Sequence, residues 1–174
     1  MRIGITGTQS TGKTTLVKAL QELPEFQDYH FATERSKYLR DLGIPLNTDS
    51  TVRGQFVFMA ERASELMYDN LITDRTIWDV CAFTLSAKSI SWYYKQSLIE
   101  AASSLMSYYD IVFYINPENI EIEDNGVRET DSQYRNDINY AIVELLQQYK
   151  PNKLIEIKGT TEERIQQIKE ALNL

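Results

Sequence analysis

The chain has 174 residues, 43% of them hydrophobic and 25% charged, which suits one domain large enough to bury a core without cross-links. One cysteine, Cys81, and one histidine, His30, exclude an internal disulfide and leave little scope for a zinc site or a histidine-based triad. The formal net charge of −7 (25 acidic against 18 basic residues) disfavours a nucleic-acid partner without excluding a local basic groove.

The first element is a short apolar strand around Ile3 and Ile5, followed at once by a glycine-rich loop. Met1-Arg2-Ile3-Gly4-Ile5 does not read as a secretory signal, and no run of ~18 apolar residues would cross a membrane. With the lone cysteine, this points to the cytoplasm, or to a host cytoplasm if the chain is phage-encoded. From Lys13 a helix places Leu16, Leu20 and Leu23 at i, i+4 and i+7, and Pro24 ends it. "YHFATE" is a second strand with Glu34 at its end, and "RSKYLRDLG" is a helix that stops at Gly43. The periodicity predicts a long helix over about 51–68, with Val52, Phe56, Met59, Ala63 and Met67 on its apolar face.

"NLITDR" is the next buried strand, ending in Asp74-Arg75, and helices follow over about 77–88 and 91–107. "DIVFYI" is a strongly apolar strand, after which "NPENIEIEDNGVRETD" reads as a mobile excursion. The next helix carries Tyr134, Ile138, Ile142, Leu145 and Tyr149 on one stripe, and "KLIEI" makes the fifth strand. The last helix opens with Thr160 and Glu163 at capping-box spacing and buries Ile165, Ile168 and Leu172.

Five short strands alternating with helices imply an α/β fold, a five-stranded parallel sheet with helices on both faces. There is no repeat, low-complexity tract or linker, so residues 1–174 are expected to form a single domain, with a lid segment over about 117–136. In such sheets ligands bind at the carboxyl ends of the strands, where Gly7, Glu34, Asp74 and Asn116 should converge.

Gly7-Thr8-Gln9-Ser10-Thr11-Gly12-Lys13-Thr14 matches G-x-x-x-x-G-K-[ST]. The pattern recurs by chance in about 1% of chains this long, and here it follows a strand and opens a helix, the context it requires. It is a P-loop: the glycines let backbone amides point at a polyphosphate, and the helix adds its positive end. Gly7, Thr8, Ser10, Thr11, Gly12, Lys13 and Thr14 are therefore the candidates for holding ATP, with Thr15 placed for the α-phosphate. Lys13 supplies charge to the β- and γ-phosphates, and Thr14 with Asp74 is the candidate pair for Mg²⁺.

Switch GTPases need Asn-Lys-x-Asp, but Asn152-Lys153 is followed by Leu154 and Ile155. ATPase motors commonly end a strand in Asp-Glu, where the glutamate activates water. Here Arg75 stands in that place, and a guanidinium stays protonated. It can instead clamp a phosphate or steady charge during transfer. A phosphotransferase also needs an acceptor-side carboxylate and a lid that excludes water. Glu34 is the candidate for the first, able to take or hold an acceptor hydroxyl proton. "DNGVRETDSQYR" is the candidate for the second, with Gly126 as hinge and Arg128 and Arg135 over the phosphates.

The array "GxxxxGKTT", "TER", "TDR" and "GVRxxDxxxR" resembles the P-loop nucleoside and nucleotide kinase group across nearly the whole chain. It looks closest to the compact branch of ribosylnicotinamide kinase domains and phage-encoded kinase-like NTPases. The resemblance implies an ATP- and Mg²⁺-dependent phosphotransferase acting on a nucleoside, deoxynucleoside or nucleotide. It implies that Glu34 contacts the acceptor, Gln55 reads its ring, and Arg128 and Arg135 are lid arginines. Asp74-Arg75 is similar to the Asp-Arg pair of deoxynucleoside and thymidylate kinases. Ribosylnicotinamide kinases tend to show Asp-x-Asp there, so Thr76 at the third position favours a conventional nucleoside or nucleotide over nicotinamide riboside.

Asp79, one turn after Arg75, either faces the cleft or caps its helix. Arg35, Arg40 and Arg53 are candidates for an acceptor phosphate, or solvated helix arginines. Tyr93, Tyr94, Tyr108, Tyr109, Trp78 and Trp92 read as packing more than as base-stacking residues. Two further readings remain open: a kinase of a hydroxymethylated base within DNA, requiring Lys37, Arg40, Lys88 and Lys95 on one face, and a regulatory ATPase acting on a partner protein.

Overall fold

The structure is a computed structural model that describes residues 1–33, 35–117, 120 and 131–174. Strands β1 (Arg2–Thr6), β2 (His30–Ala32), β3 (Leu71–Asp74), β4 (Ile111–Ile115) and β5 (Leu154–Ile157) form one sheet in the order β2-β3-β1-β4-β5. Every pairing is parallel, with Ile3 beside Ile72 and Ile111, and Ile5 beside Asp74 and Phe113. All five carboxyl ends therefore lie along one edge, as the alternation of strands and helices predicts.

Among the described residues, seven α-helices accompany the strands: α1 (Lys13–Gln21), α2 (Ser36–Asp41), α3 (Val52–Glu65), α4 (Ile77–Ser86), α5 (Trp92–Met106), α6 (Ser132–Gln148) and α7 (Thr161–Leu172). The two-residue period of β4 sorts them into layers. Ile111, Phe113 and Ile115 face Leu16, Val17 and Leu20 of α1 and Ile168 of α7. Val112 and Tyr114 face the other way, onto Trp78 of α4, Ala102 of α5 and Ile138 and Ile142 of α6. Trp78 and Tyr109 are fully buried there as an edge-to-face pair, whereas Trp92, Tyr93, Tyr94 and Tyr108 are exposed. Among the described residues no helix is long and apolar enough to cross a membrane.

Caps set several helix starts. Thr160 and Glu163 form the expected capping box on α7, and Thr51 accepts a hydrogen bond from the Gly54 amide at the start of α3. Helix α1 ends at Gln21, before Leu23, and Leu23 precedes a 3-10 turn begun by Pro24.

The expected apolar face of α3 is corrected by the structure. Phe56 is 47% and Met67 81% exposed, and of that stripe only Met59 packs on the core. The buried face carries Gln55 and Arg62 instead. A period of 3.6 identifies an amphipathic helix, but it assumes that the buried side faces hydrocarbon. Here that side faces a cavity walled by polar and apolar side chains together.

Candidate functional site

The loop between β1 and α1 closes around three residues in the left-handed region: Ser10 at φ 59°, Gly12 at 80° and Gly7 at 143°. A Cβ on Gly7 would lie 2.6 Å from the Ile115 carbonyl oxygen, so only glycine fits between the loop and the end of β4. Lys13 is 5% exposed, and its Nζ donates to the Gly7 and Thr8 carbonyls, both at 2.6 Å. The Thr11 hydroxyl donates to the Thr8 carbonyl at 3.0 Å, and the Thr8 hydroxyl donates to Gln9 Oε1 at 2.6 Å. Thr15 is exposed on the first turn of α1.

Thr14 Oγ1 donates to Asp74 Oδ2 at 2.5 Å, joining the start of α1 to the end of β3. The second oxygen, Asp74 Oδ1, is buried and has no hydrogen-bond partner among the described residues. A hydroxyl beside an open carboxylate oxygen at a phosphate loop is the oxygen donor set that Mg²⁺ takes, one or two protein ligands with phosphate and water completing the shell. The residues present therefore fit a magnesium–nucleotide complex.

Arg75 is the strained residue of the site. Its φ is 81°, a conformation that costs a non-glycine residue about 1–3 kcal/mol. The backbone is held there from two sides: the Arg75 amide donates to Ile5 O at 3.0 Å, and its carbonyl accepts from Thr73 Oγ1 at 2.8 Å. Arg62 of α3 adds hydrogen bonds to the Asp74 and Arg75 carbonyls at 3.0 and 3.4 Å and pairs with Glu65 at 2.5 Å. The turn throws the Arg75 guanidinium away from the sheet, 4.9 Å above the Phe83 ring and 3.9 Å from Asp79 Oδ1. Neither Arg62 nor this strain is signalled by the sequence.

Beside the phosphate loop lies a cavity of about 110 Å³. Gln9 of the loop, Arg35, Gln55, Phe58, Glu61, Arg75, Asp79 and Phe83 contribute to its wall. Four expected acceptor residues are thus brought together: Arg35 just before α2, Gln55 on α3, Arg75 just after β3 and Asp79 on α4. Asp79 fills both roles left open by its sequence position. Its Oδ2 accepts from Thr6 Oγ1, the Thr76 amide and Thr76 Oγ1 at 2.7, 2.7 and 2.8 Å, while Oδ1 is buried with no hydrogen-bond partner among the described residues and has the Arg75 guanidinium 3.9 Å away. Gln55 is 2% exposed, and its Oε1 is likewise buried and without a partner among them. Arg35 pairs with Glu61 at 3.2 Å and lies over the Tyr38 ring.

Glu34, Gly126 and Arg128 lie outside the described residues, as does most of the expected lid. Arg135 is described and is 7% exposed in the first turn of α6. Its guanidinium donates to the Ile120 and Pro117 carbonyls at 2.5 and 3.2 Å, and its own carbonyl accepts from Thr8 Oγ1 at 3.3 Å. Arg135 thus ties the segment after β4 to α6, which touches the phosphate loop. Arg164 of α7, absent from the expected site, donates from Nη1 to the Thr11 carbonyl at 2.7 Å and braces the loop from behind. Its signal was available only in the fold, because 153 residues separate the partners.

Asn152 has a structural task, donating to the Ser107 and Tyr109 carbonyls at 3.3 and 2.9 Å. Of the four residues proposed for a basic rim, only Lys37 lines the cavity. Arg40 pairs with Asp41, and Lys95 Nζ donates to the Leu85 carbonyl near the end of α4.

A family model described as an AAA domain matches residues 2–164, nearly the whole chain. The chain belongs to the AAA-domain family. No curated protein matches it by sequence. Among solved structures, this AAA domain is similar to deoxyadenosine kinase from M. mycoides with bound dCTP, at 20% identity and a TM-score of 0.71, over 99% of both chains. It is similar to NadR in complex with NAD and AMP-PNP, at 14% identity and a TM-score of 0.75, covering 99% of this chain and 49% of that one. YorR from Bacillus subtilis aligns over 100% of this chain and 96% of its own, with 13% identity and a TM-score of 0.64. These likenesses establish the fold: a P-loop kinase-like α/β domain whose parallel sheet is covered on both faces.

Proposed function

We propose that the chain is an ATP- and Mg²⁺-dependent phosphotransferase acting on a nucleoside, deoxynucleoside or nucleotide. The observation that carries this reading is the cavity beside the phosphate loop, with Gln9 in both and Arg75 projected into it by a strained turn. A hydrolase needs only to place a water molecule; a cavity walled by Phe58 and Phe83 together with a few polar side chains, Gln55, Arg75 and Asp79, has the mixed lining that suits an organic acceptor. The ligands bound in the similar structures, dCTP among them, agree in chemical class.

In this reading residues 1–174 are one domain, and 117–136 supply its lid. Gly7 to Thr15 hold the triphosphate, with Lys13 turning from its loop carbonyls to the β- and γ-phosphates. Thr14 and Asp74 hold Mg²⁺, which when bound neutralises charge on the phosphate oxygens. Arg75 orients the acceptor end and steadies charge as it develops. Gln55 offers an acceptor oxygen to the edge of the ring between Phe58 and Phe83. Glu34 holds or removes the proton of the attacking hydroxyl, and Arg128 and Arg135 belong to the closing lid. Lining up donor and acceptor inside a closed site supplies most of the rate, since phosphoryl transfer asks for little covalent help.

The test is an ATP-consumption screen over nucleosides, nucleoside monophosphates and DNA containing hydroxymethylated bases. Turnover that depends on a nucleoside or nucleotide is expected. ATP hydrolysis at one rate whatever is added would overturn the reading, and turnover with modified DNA alone would replace it with the DNA-base kinase.

A further inference from the structure

Helix α3 carries cavity side chains on one face and a bare ring on the other. Gln55 and Arg62 belong to the cavity wall, whereas Phe56, 47% exposed, lies in an open groove between α3 and α5. Val52, Val57 and Ala60 of α3 line this groove with Tyr94 of α5, and the Tyr94 ring meets Tyr93 edge-to-face at 5.3 Å. Tyr93 and Tyr94 are 72% and 52% exposed. At about 200 Å² per aromatic side chain, the uncovered parts of Phe56, Tyr93 and Tyr94 alone come to about 340 Å². A patch of that size marks an interaction site, and it approaches half of the ~800 Å² that each partner gives to a stable interface.

Small residues continue the face along α5. At 3.6 residues per turn, Tyr93, Ser97, Ala101 and Ser104 share one side of the helix, opposite the buried Ile99, Ala102 and Met106. Charge is nearly absent from this side. At the exposed positions of α3 and α5, Arg53 and Glu100 are the only charged residues, in a chain that is 25% charged. Lys95 turns its Nζ back to the Leu85 carbonyl. Depletion of charge with enrichment of aromatic rings is the composition of an interface core.

The same charges point to what covers the face. Each chain carries a net charge of −7, so two copies repel over most of their surfaces and approach best where acids are scarce. This face offers one cation on α3 and one anion on α5. A two-fold axis sets a surface against itself, residue i on j and j on i, so it can place Arg53 of each copy against Glu100 of the other. A partner recognised by charge of one sign would find no matching set here. We propose that a second copy of this chain covers the α3–α5 face, forming a two-fold dimer with Phe56, Tyr93 and Tyr94 at its core and Arg53 opposite Glu100 at its rim. The outer face of α3 is then fixed by the interface while its inner face walls the acceptor cavity of the same subunit.

Sedimentation velocity of the full chain tests this. The native protein is expected to sediment at twice its chain mass of 20.2 kDa. Phe56→Glu and Tyr93→Glu each put a carboxylate into the apolar core and should weaken dimerisation about 30-fold or more. Arg53→Glu and Glu100→Arg should each weaken it several-fold, and the variant carrying both should recover most of the loss, because the reversed charges again face each other. Unchanged far-ultraviolet circular dichroism and a cooperative melting curve show that the variants are folded. A native protein that stays monomeric at about 100 μM overturns the proposal, whatever else binds the face. A dimer that survives both carboxylate variants lies on another face and overturns it equally. A charge swap that restores nothing overturns the pairing of Arg53 with Glu100 and the two-fold arrangement built on it.

Discussion

The phosphate loop and the acceptor cavity share Gln9, yet they are built in opposite ways. The loop is largely local: within Gly7 to Thr14, Lys13 closes onto the Gly7 and Thr8 carbonyls and the Thr11 hydroxyl onto the Thr8 carbonyl. The cavity is assembled from α2, α3, α4 and the loops around them, and three buried oxygens of its lining residues lack a hydrogen-bond partner among the described residues: Gln55 Oε1, Glu61 Oε2 and Asp79 Oδ1. Self-satisfied geometry suits a ligand part common to all nucleotides, the polyphosphate. Unsatisfied geometry suits the part that differs. A site can therefore be generic on one side and selective on the other, and substitutions should separate the two.

The largest separation is expected from Lys13→Ala. Removing the one lysine of the loop should lower phosphoryl transfer by about 10³-fold, with acceptor binding measured by calorimetry nearly unchanged. A matching loss of acceptor affinity would show that the two halves are not independent.

Arg75→Ala tests the hinge between them. The guanidinium is lost, and alanine inherits the same strained φ of 81°, so the backbone account is unaltered. Transfer should fall about 10²-fold while the melting temperature moves little. If Arg75→Gly raises the melting temperature while matching that loss of activity, the strain is stored for the side chain's position.

Gln55→Leu opposes function to stability. It removes a buried oxygen that lacks a partner among the described residues, so the folded protein should gain up to about 1 kcal/mol by chemical denaturation. The KM for the acceptor should rise about 10-fold with the KM for ATP unchanged. A destabilised variant would mean that Gln55 holds α3 in place and does not wait for a ring.

The same contrast explains what could be read from the sequence. The loop was legible because its chemistry sits in consecutive residues with fixed spacing. The sheet was legible too, since "IVFYI" is apolar on both faces and "LITD" opens with two adjacent apolar residues, as a covered parallel strand should. Asp74-Arg75 could be read as hydrolase or transferase by its second residue alone. The wall of the cavity could not. Helix α3 hides a polar stripe of Gln55, Glu61 and Arg62 behind the exposed Phe56, with Met67 exposed just past its end, reversing the periodic signal. Arg164 could not be read either, because its meaning depends on α7 arriving behind Thr11.

The smallest effect comes from a group behind the cavity. Glu65 pairs with Arg62 at 2.5 Å and accepts from Thr73 at 3.3 Å, both of which favour its ionised form. Burial outweighs them and pushes its carboxyl up from 4.5 to about 7. The folded state then holds a proton that the unfolded chain has released between roughly pH 4.5 and 7. Stability from this group is full below its unfolded value and is lost as pH rises through about 7. Partial exposure limits the effect to roughly 1 kcal/mol, a shift of a few degrees for a chain this size. Melting curves of Glu65→Gln, compared with the native protein at pH 5 and 7.5, should show the variant gaining relative stability at the higher pH. An equal difference at both values would mean that Arg62 keeps Glu65 ionised throughout, and that the brace under the Arg75 turn is a full ion pair.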